Sequence, residues 1–237
     1  MLSAIFSFFL TASSPSFAEL PPSHVEKIAN QVISQLSKEY QERPTLVVTT
    51  RPEPTPLGVI SYANGRCKMV INTNGNAWSE WGRFLNSDNK ANWDSIIATS
   101  VAHEVGHCLR ESKTGQHSVQ LSEETLSALG SVGGSSMAMS TRVLKQELFA
   151  DTVAVIYAKE FLSEKMANTA IESMLLAREQ FGHADPSHDT YRELAAVVTK
   201  SLDRLPGELL GATALRLLSG YQSTGQVETA TVSSSMQ

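Results

Sequence analysis

The stretch VAHEVGHCLRE, residues 101–111, restricts the folds open to this chain more than any other. Ile97, Val101, Val105 and Leu109 recur every fourth residue, so 93–111 reads as a helix with an apolar face. His103 and His107 lie at i and i+4 on it, about 40° apart around the axis, so both imidazoles converge on one point. Two histidines on a helix buried over much of its surface are costly without a partner. The competing reading, two solvated histidines on an exposed helix, conflicts with that apolar face. A divalent metal is the partner this spacing suits, and the fold must then carry a further ligand to the same place.

Glu104, one position after His103, is rotated by about 100° and does not join the histidines as a ligand, but it reaches a water on the ion. Zinc with three protein ligands and one water brings that water's pKa to about 7, and a neighbouring carboxylate takes its proton as a carbonyl is attacked. Arg110 and Lys113 stand where the extended pattern with a third histidine requires Gly and His, so the third ligand comes from elsewhere. In KQELFADTVAV, Glu147 and Asp151 are i and i+4 on the next long helix, with the small Ala150 between them. Taken alone they read as an acidic, solvated face. Beside the histidine pair they read as one ligand and one carboxylate that orients a ligand histidine.

Around these segments the chain reads as one domain. PPSHVEKIANQVISQLSKEYQER opens with Ser23 and Glu26 in a capping-box spacing, and its apolar residues Val25, Ile28, Val32, Ile33, Leu36 and Tyr40 follow helical spacing. TLVVTTR, LGVISY and CKMVINT follow, with Asn64-Gly65 between the last two as a hairpin signal. A small antiparallel sheet of about three strands is expected there, before the His-bearing helix. Residues 130–140, rich in Gly, Ser and Met, read as a loop or lid over a cleft. Further helices are expected over 141–162, 163–181, 189–205 and 209–221, and 223–237 read as a flexible tail. The fold class is therefore α+β, mainly helical.

Residues 1–18, MLSAIFSFFLTASSPSFA, are uncharged, start with a short apolar run and end in Ser16-Phe17-Ala18, the pattern of a cleaved signal peptide. The expected organisation is a signal peptide (1–18), one domain (19–222) and the tail, with export to the periplasm or outside the cell. No later segment is apolar enough to span a membrane. Against 19 basic residues stand 24 acidic ones, with no Lys/Arg run, which argues against nucleic acid as a partner. Export allows Cys67 and Cys108 to pair, the alternative being two buried thiols.

The HEVGH and ELFAD segments together resemble the gluzincin zinc metallopeptidases, in particular the group of HtpX-like and BepA-like peptidases. The resemblance covers roughly residues 95–195 and implies a zincin-like metallopeptidase domain. It implies His103, His107 and Glu147 as Zn2+ ligands, Glu104 as general base and Asp151 as the carboxylate that orients the first histidine. SHDTYREL (187–194) is similar to the His-Pro-x-x-x-Arg segment of these peptidases at His188 and Arg192, with Asp189 in place of proline. His188 would then donate to the developing oxyanion or cap the zinc, and Arg192 would fix that loop or add positive charge; His183, Tyr157 and Tyr191 are other candidate donors. In related peptidases the edge strand of the sheet pairs with an extended substrate, and CKMVINT is the expected strand. A Cys67–Cys108 bridge would tie that strand to the metal-bearing helix.

Two functions follow as expectations. The first is a zinc-dependent endopeptidase acting on extended or unfolded polypeptides, and the alternative is a zinc-stabilised, non-catalytic chaperone-like or peptide-binding protein. A retained Glu104 favours the first, because a purely structural zinc has no use for a base.

Overall fold

The computed structural model describes residues 22–39, 43–50, 57–61, 67–72, 74, 93–111, 135–184 and 189–222. The expected signal peptide, the Asn64-Gly65 turn, His188 and the C-terminal tail lie outside them. The described elements are α1 (Pro22–Gln35), β1 (Thr45–Thr49), β2 (Leu57–Ser61), β3 (Lys68–Asn72), α2 (Trp93–Glu111), α3 (Ser135–Phe161), α4 (Glu164–Ala184), α5 (Tyr191–Val198) and α6 (Leu210–Gln222). The fold is α+β, mostly helical with one small sheet. Among the described residues no helix is long and apolar enough to cross a membrane.

Helix α2 is the centre of the molecule and packs against α1, α3, α4, α6 and β2. Its apolar row Ile97, Val101, Val105 and Leu109 is buried, each side chain contributing about 1.5–3 kcal/mol. Trp93, Ile96, Ala98, Ala102 and Cys108 are buried on its other sides. Ser100, His103, Glu104 and His107 are only partly buried, and their i, i+3, i+4, i+7 spacing makes them one stripe. Helix α1 lays Val25, Ile28, Val32, Ile33 and Leu36 into the same core, as its periodicity predicts.

The sheet departs from the all-antiparallel arrangement expected. Its order is β1-β3-β2, with β3 antiparallel to β2 but parallel to β1. Two reversals of direction, from β1 to β2 and from β2 to β3, leave β3 running with β1. Because β3 rather than β2 is the neighbour of β1, that pair is necessarily parallel. The same order corrects the expected edge strand: β3 is central, its Met69 and Ile71 buried, and β2 is an edge of the sheet that packs on α2. Cys67, immediately before β3, forms a disulfide with Cys108 of α2, their Cα atoms 5.6 Å apart.

Two helix boundaries also differ. Helix α3 begins at Ser135, inside the segment expected as a loop, because Met137, Ala138 and Met139 are good helix formers once Gly133-Gly134 has passed. Helix α5 stops at Val198 instead of continuing to 205. Leu205 precedes a proline, which disfavours helical backbone, and Gly207 adopts φ 76°, a conformation that suits glycine. Polar side chains replace the missing turns: Arg204 binds Glu39 and Glu160, and Arg216 binds Glu208 and the Asp203 carbonyl. Glu39 also accepts the Leu210 N–H at 2.6 Å, so a carboxylate beyond the end of α1 caps the start of α6.

Candidate metal centre

Helix α2 brings His103 and His107 to the face of α3 that carries Glu147 and Asp151. The helices approach closely there because Gly106 lies against Ala150. The two Nε2 atoms are 3.1 Å apart, His103 Nε2 is 3.5 Å from Glu147 Oε2, and His107 Nε2 is 3.4 Å from Glu147 Oε1. The rings stand nearly perpendicular, at 86°.

These distances suit an ion. Bonds of about 2.0–2.1 Å at tetrahedral angles put ligand atoms roughly 3.3 Å apart, which is the spacing of this triangle. His103 Nδ1 is 2.8 Å from Asp151, so its proton sits on Nδ1 and the Nε2 lone pair faces inward. With the His103 Nε2 lone pair turned inward, the 3.1 Å contact fits either an N–H···N hydrogen bond from His107 or a cation shared by the two rings. Glu147 and Asp151 bind the Arg178 guanidinium and Glu104 lies within electrostatic range of it; fully ionised, the three carboxylates and the guanidinium carry a formal −2, which a dication would balance. The side chains of His103, His107 and Glu147 remain 12, 19 and 12% exposed, so the centre is largely but not completely buried.

Asp151 is fully buried and accepts four hydrogen bonds. Oδ1 receives His103 Nδ1–H at 2.8 Å and Arg178 Nη2 at 2.7 Å; Oδ2 receives Arg178 Nε at 2.8 Å and the Thr190 hydroxyl at 2.6 Å. Burial opposes its charge, but the Arg178 guanidinium and His103 overcome that and hold its carboxyl far below the usual carboxylate range. Arg178 Nη2 also donates to Glu147 Oε2 at 3.0 Å. It lies 3.5 Å from His103 Nδ1 as well, too far to compete with the Asp151 bond. Burial pushes the Glu104 carboxyl upward, helped by Glu147 and Asp151 and opposed by His103 and Arg178.

The expected residues His103, Glu104, His107, Glu147 and Asp151 are thus brought together. Others are not. Arg192 is exposed on α5, and the guanidinium at the site is that of Arg178. Tyr157, a candidate oxyanion donor, is buried in the core; it donates to Gln35 at 2.7 Å, and burial pushes its pKa up to about 12. Tyr191 is exposed. His183 lies on α4, but its side chain, like all of His188, falls outside the described residues.

Arg178, Thr190 and Gly106 were not singled out from the sequence. One signal for Arg178 lies in the spacing: it continues the inward row of buried Ala167 and Ile171 and partly buried Met174 on α4, a place where an arginine needs carboxylate partners. Thr190 precedes α5 as a helix-capping residue should, but its hydroxyl goes to Asp151 rather than to the helix. No protein-family model, curated protein or solved structure matches this chain, so the functional reading rests on its own residues.

Proposed function

We propose that the protein is a zinc-dependent endopeptidase of the gluzincin type, with a zincin-like domain. The observation that carries this reading is the triangle of His103, His107 and Glu147 donor atoms beside Glu104, all of them only partly buried. In this reading the three residues hold the ion, and zinc, when bound, supplies Lewis-acid polarisation of water and of the scissile carbonyl. Asp151 keeps the His103 proton on Nδ1, so that Nε2 is presented to the ion in every cycle. Glu104 takes the proton of the attacking water on its carboxylate and passes it to the leaving amine.

The substrate in this proposal is an extended or unfolded polypeptide that pairs with β2, the antiparallel edge strand packed on α2. The Cys67–Cys108 bridge supports work in an oxidising compartment, the periplasm or outside the cell.

The test has two arms. Protein purified without added metal and without a histidine tag should carry one zinc and cleave an unfolded protein such as reduced casein, and a chelator should abolish cleavage. Glu104→Gln should keep the zinc and lose the cleavage. A variant that retains full turnover would end the proposal, and zinc binding with no hydrolysis by either form would point to the non-catalytic peptide-binding alternative.

A further inference from the structure

We propose that Arg178 is the positioning residue of the metal centre: its planar guanidinium, forked on Asp151 and touching Glu147, sets the donor triangle before an ion arrives. This rests on the zinc reading above and adds to it a group that belongs to neither helix of the motif.

The geometry is specific. Arg178 meets Asp151 through two nitrogens and two oxygens at 2.8 and 2.7 Å, which fixes the plane of that carboxylate. The plane of Asp151 in turn determines where it accepts from His103 Nδ1, and so where His103 Nε2 points. The same Nη2 bonds Glu147 Oε2 at 3.0 Å, which places the ligating carboxylate of α3 relative to the carboxylate one turn further on. One rigid group therefore registers a ligand of α3 against a ligand of α2. Helix α4 can do this because it packs on both α2 and α3. Lysine would supply the charge, but as a single point with no fork it fixes neither plane.

Thr190 separates this role from general support of Asp151. Its hydroxyl is a fourth donor to that carboxylate, on the same Oδ2 that accepts from Arg178 Nε. Removing it leaves both Arg178 bonds to Asp151 in place.

The experiment compares the wild type, Arg178→Lys, Thr190→Val and, as a control on the exposed face of α4, Lys165→Gln. Zinc affinity is measured by chelator competition, and the visible spectrum of the cobalt(II)-substituted protein reports ligand geometry. Arg178→Lys should bind zinc 10–100-fold more weakly, as is usual for groups that orient ligands, and should change the cobalt band in position or intensity. Lys165→Gln should stay within about threefold of wild type with an unchanged cobalt band, and Thr190→Val, which removes one donor to Asp151 but keeps both fork bonds, should weaken zinc binding less than Arg178→Lys does. An Arg178→Lys protein with wild-type affinity and spectrum overturns the inference.

A second measurement avoids the risk that the variant fails to fold. In the wild-type protein the Arg178 Nε–H resonance should be slow to exchange and nearly unmoved between zinc-free and zinc-loaded states. Rapid exchange without zinc, or a large shift on loading, would mean that the ion assembles the site, and the inference falls. A wild type that binds neither zinc nor cobalt defeats the metal reading itself, a result distinct from either failure.

Discussion

A Cβ placed on Gly106 would stand 2.7 Å from the Cα of Ala150, so these two residues mark where α2 and α3 meet backbone against side-chain-free backbone. The residues of the candidate metal centre are arranged around that point with the same offsets on both helices. His103 and His107 lie three before and one after Gly106, and Glu147 and Asp151 lie three before and one after Ala150. The crossing point places both pairs opposite each other, and the donor distances of 3.1–3.5 Å follow from it.

Gly106→Ala tests that crossing. Alanine favours the helix by about 1 kcal/mol over glycine, but a contact this short against backbone forces the helices apart, and such overpacking costs about 1–3 kcal/mol. The expected outcome is a protein of equal or modestly lower stability in urea titration whose zinc affinity falls tenfold or more in chelator competition. Stability and affinity both at wild-type level would show that the close approach does not set the site.

Glu104→Gln should reduce turnover of an unfolded-protein substrate by about 10²–10⁴, the contribution usual for a general base, while the metal content stays at one zinc per chain. Elemental analysis and a continuous cleavage assay on the same preparation check both halves.

Asp151→Asn should be the most damaging single change at the site. It removes the charge that faces the buried Arg178 guanidinium, and breaking such a pair costs about 3–5 kcal/mol. Denaturant unfolding of the zinc-free proteins reads this directly. Loss of less than about 1 kcal/mol would contradict the four-donor arrangement around this carboxylate.

Replacing Cys67 and Cys108 together by alanine opens a loop with a sequence separation of 41. The chain-entropy relation puts the loss at about 4 kcal/mol at most, and the reduced wild type should match the double variant in its urea midpoint. Because the bridge joins β3 to the residue after His107, the zinc affinity of the double variant is the second quantity to follow.

Glu208 carries a pH dependence away from the metal. The hydrogen bonds from Arg216 are the main cause that lowers its pKa to about 2, with the Leu205 N–H adding to them and burial opposing. Its folded pKa lies below the unfolded value of 4.5, so its stabilisation is complete above pH 4.5 and is lost as pH falls toward 2. The Tm difference between wild type and Glu208→Gln should therefore be constant near neutrality and close between pH 4.5 and about 2. A difference that persists undiminished at pH 2 would be inconsistent with ionisation of Glu208 as its source.

Much of the local structure was legible in the residues. Helix α2 spans Trp93–Glu111 as its apolar periodicity predicts, and the core stripe of α1 is the one its spacing indicates. The misreadings share a cause. Gly, Ser and Met before Thr141 suggested a loop, yet Met and Ala continue the helix backward to Ser135. Strand composition marks the three strands but carries no information on which neighbour each takes, so the parallel β1–β3 pair is not legible in it.

At the site the division is the same. The fixed rise and turn of an α-helix decide that residues i and i+4 share a face, so the pairs His103/His107 and Glu147/Asp151 could be read along the chain as two ready-made halves. Whether the halves meet depends on helix packing, and only the folded arrangement shows Gly106 against Ala150. Only the folded arrangement, too, brings Arg178 from 27 and Thr190 from 39 residues away to Asp151, because contacts between distant residues leave no periodic trace in the order of amino acids.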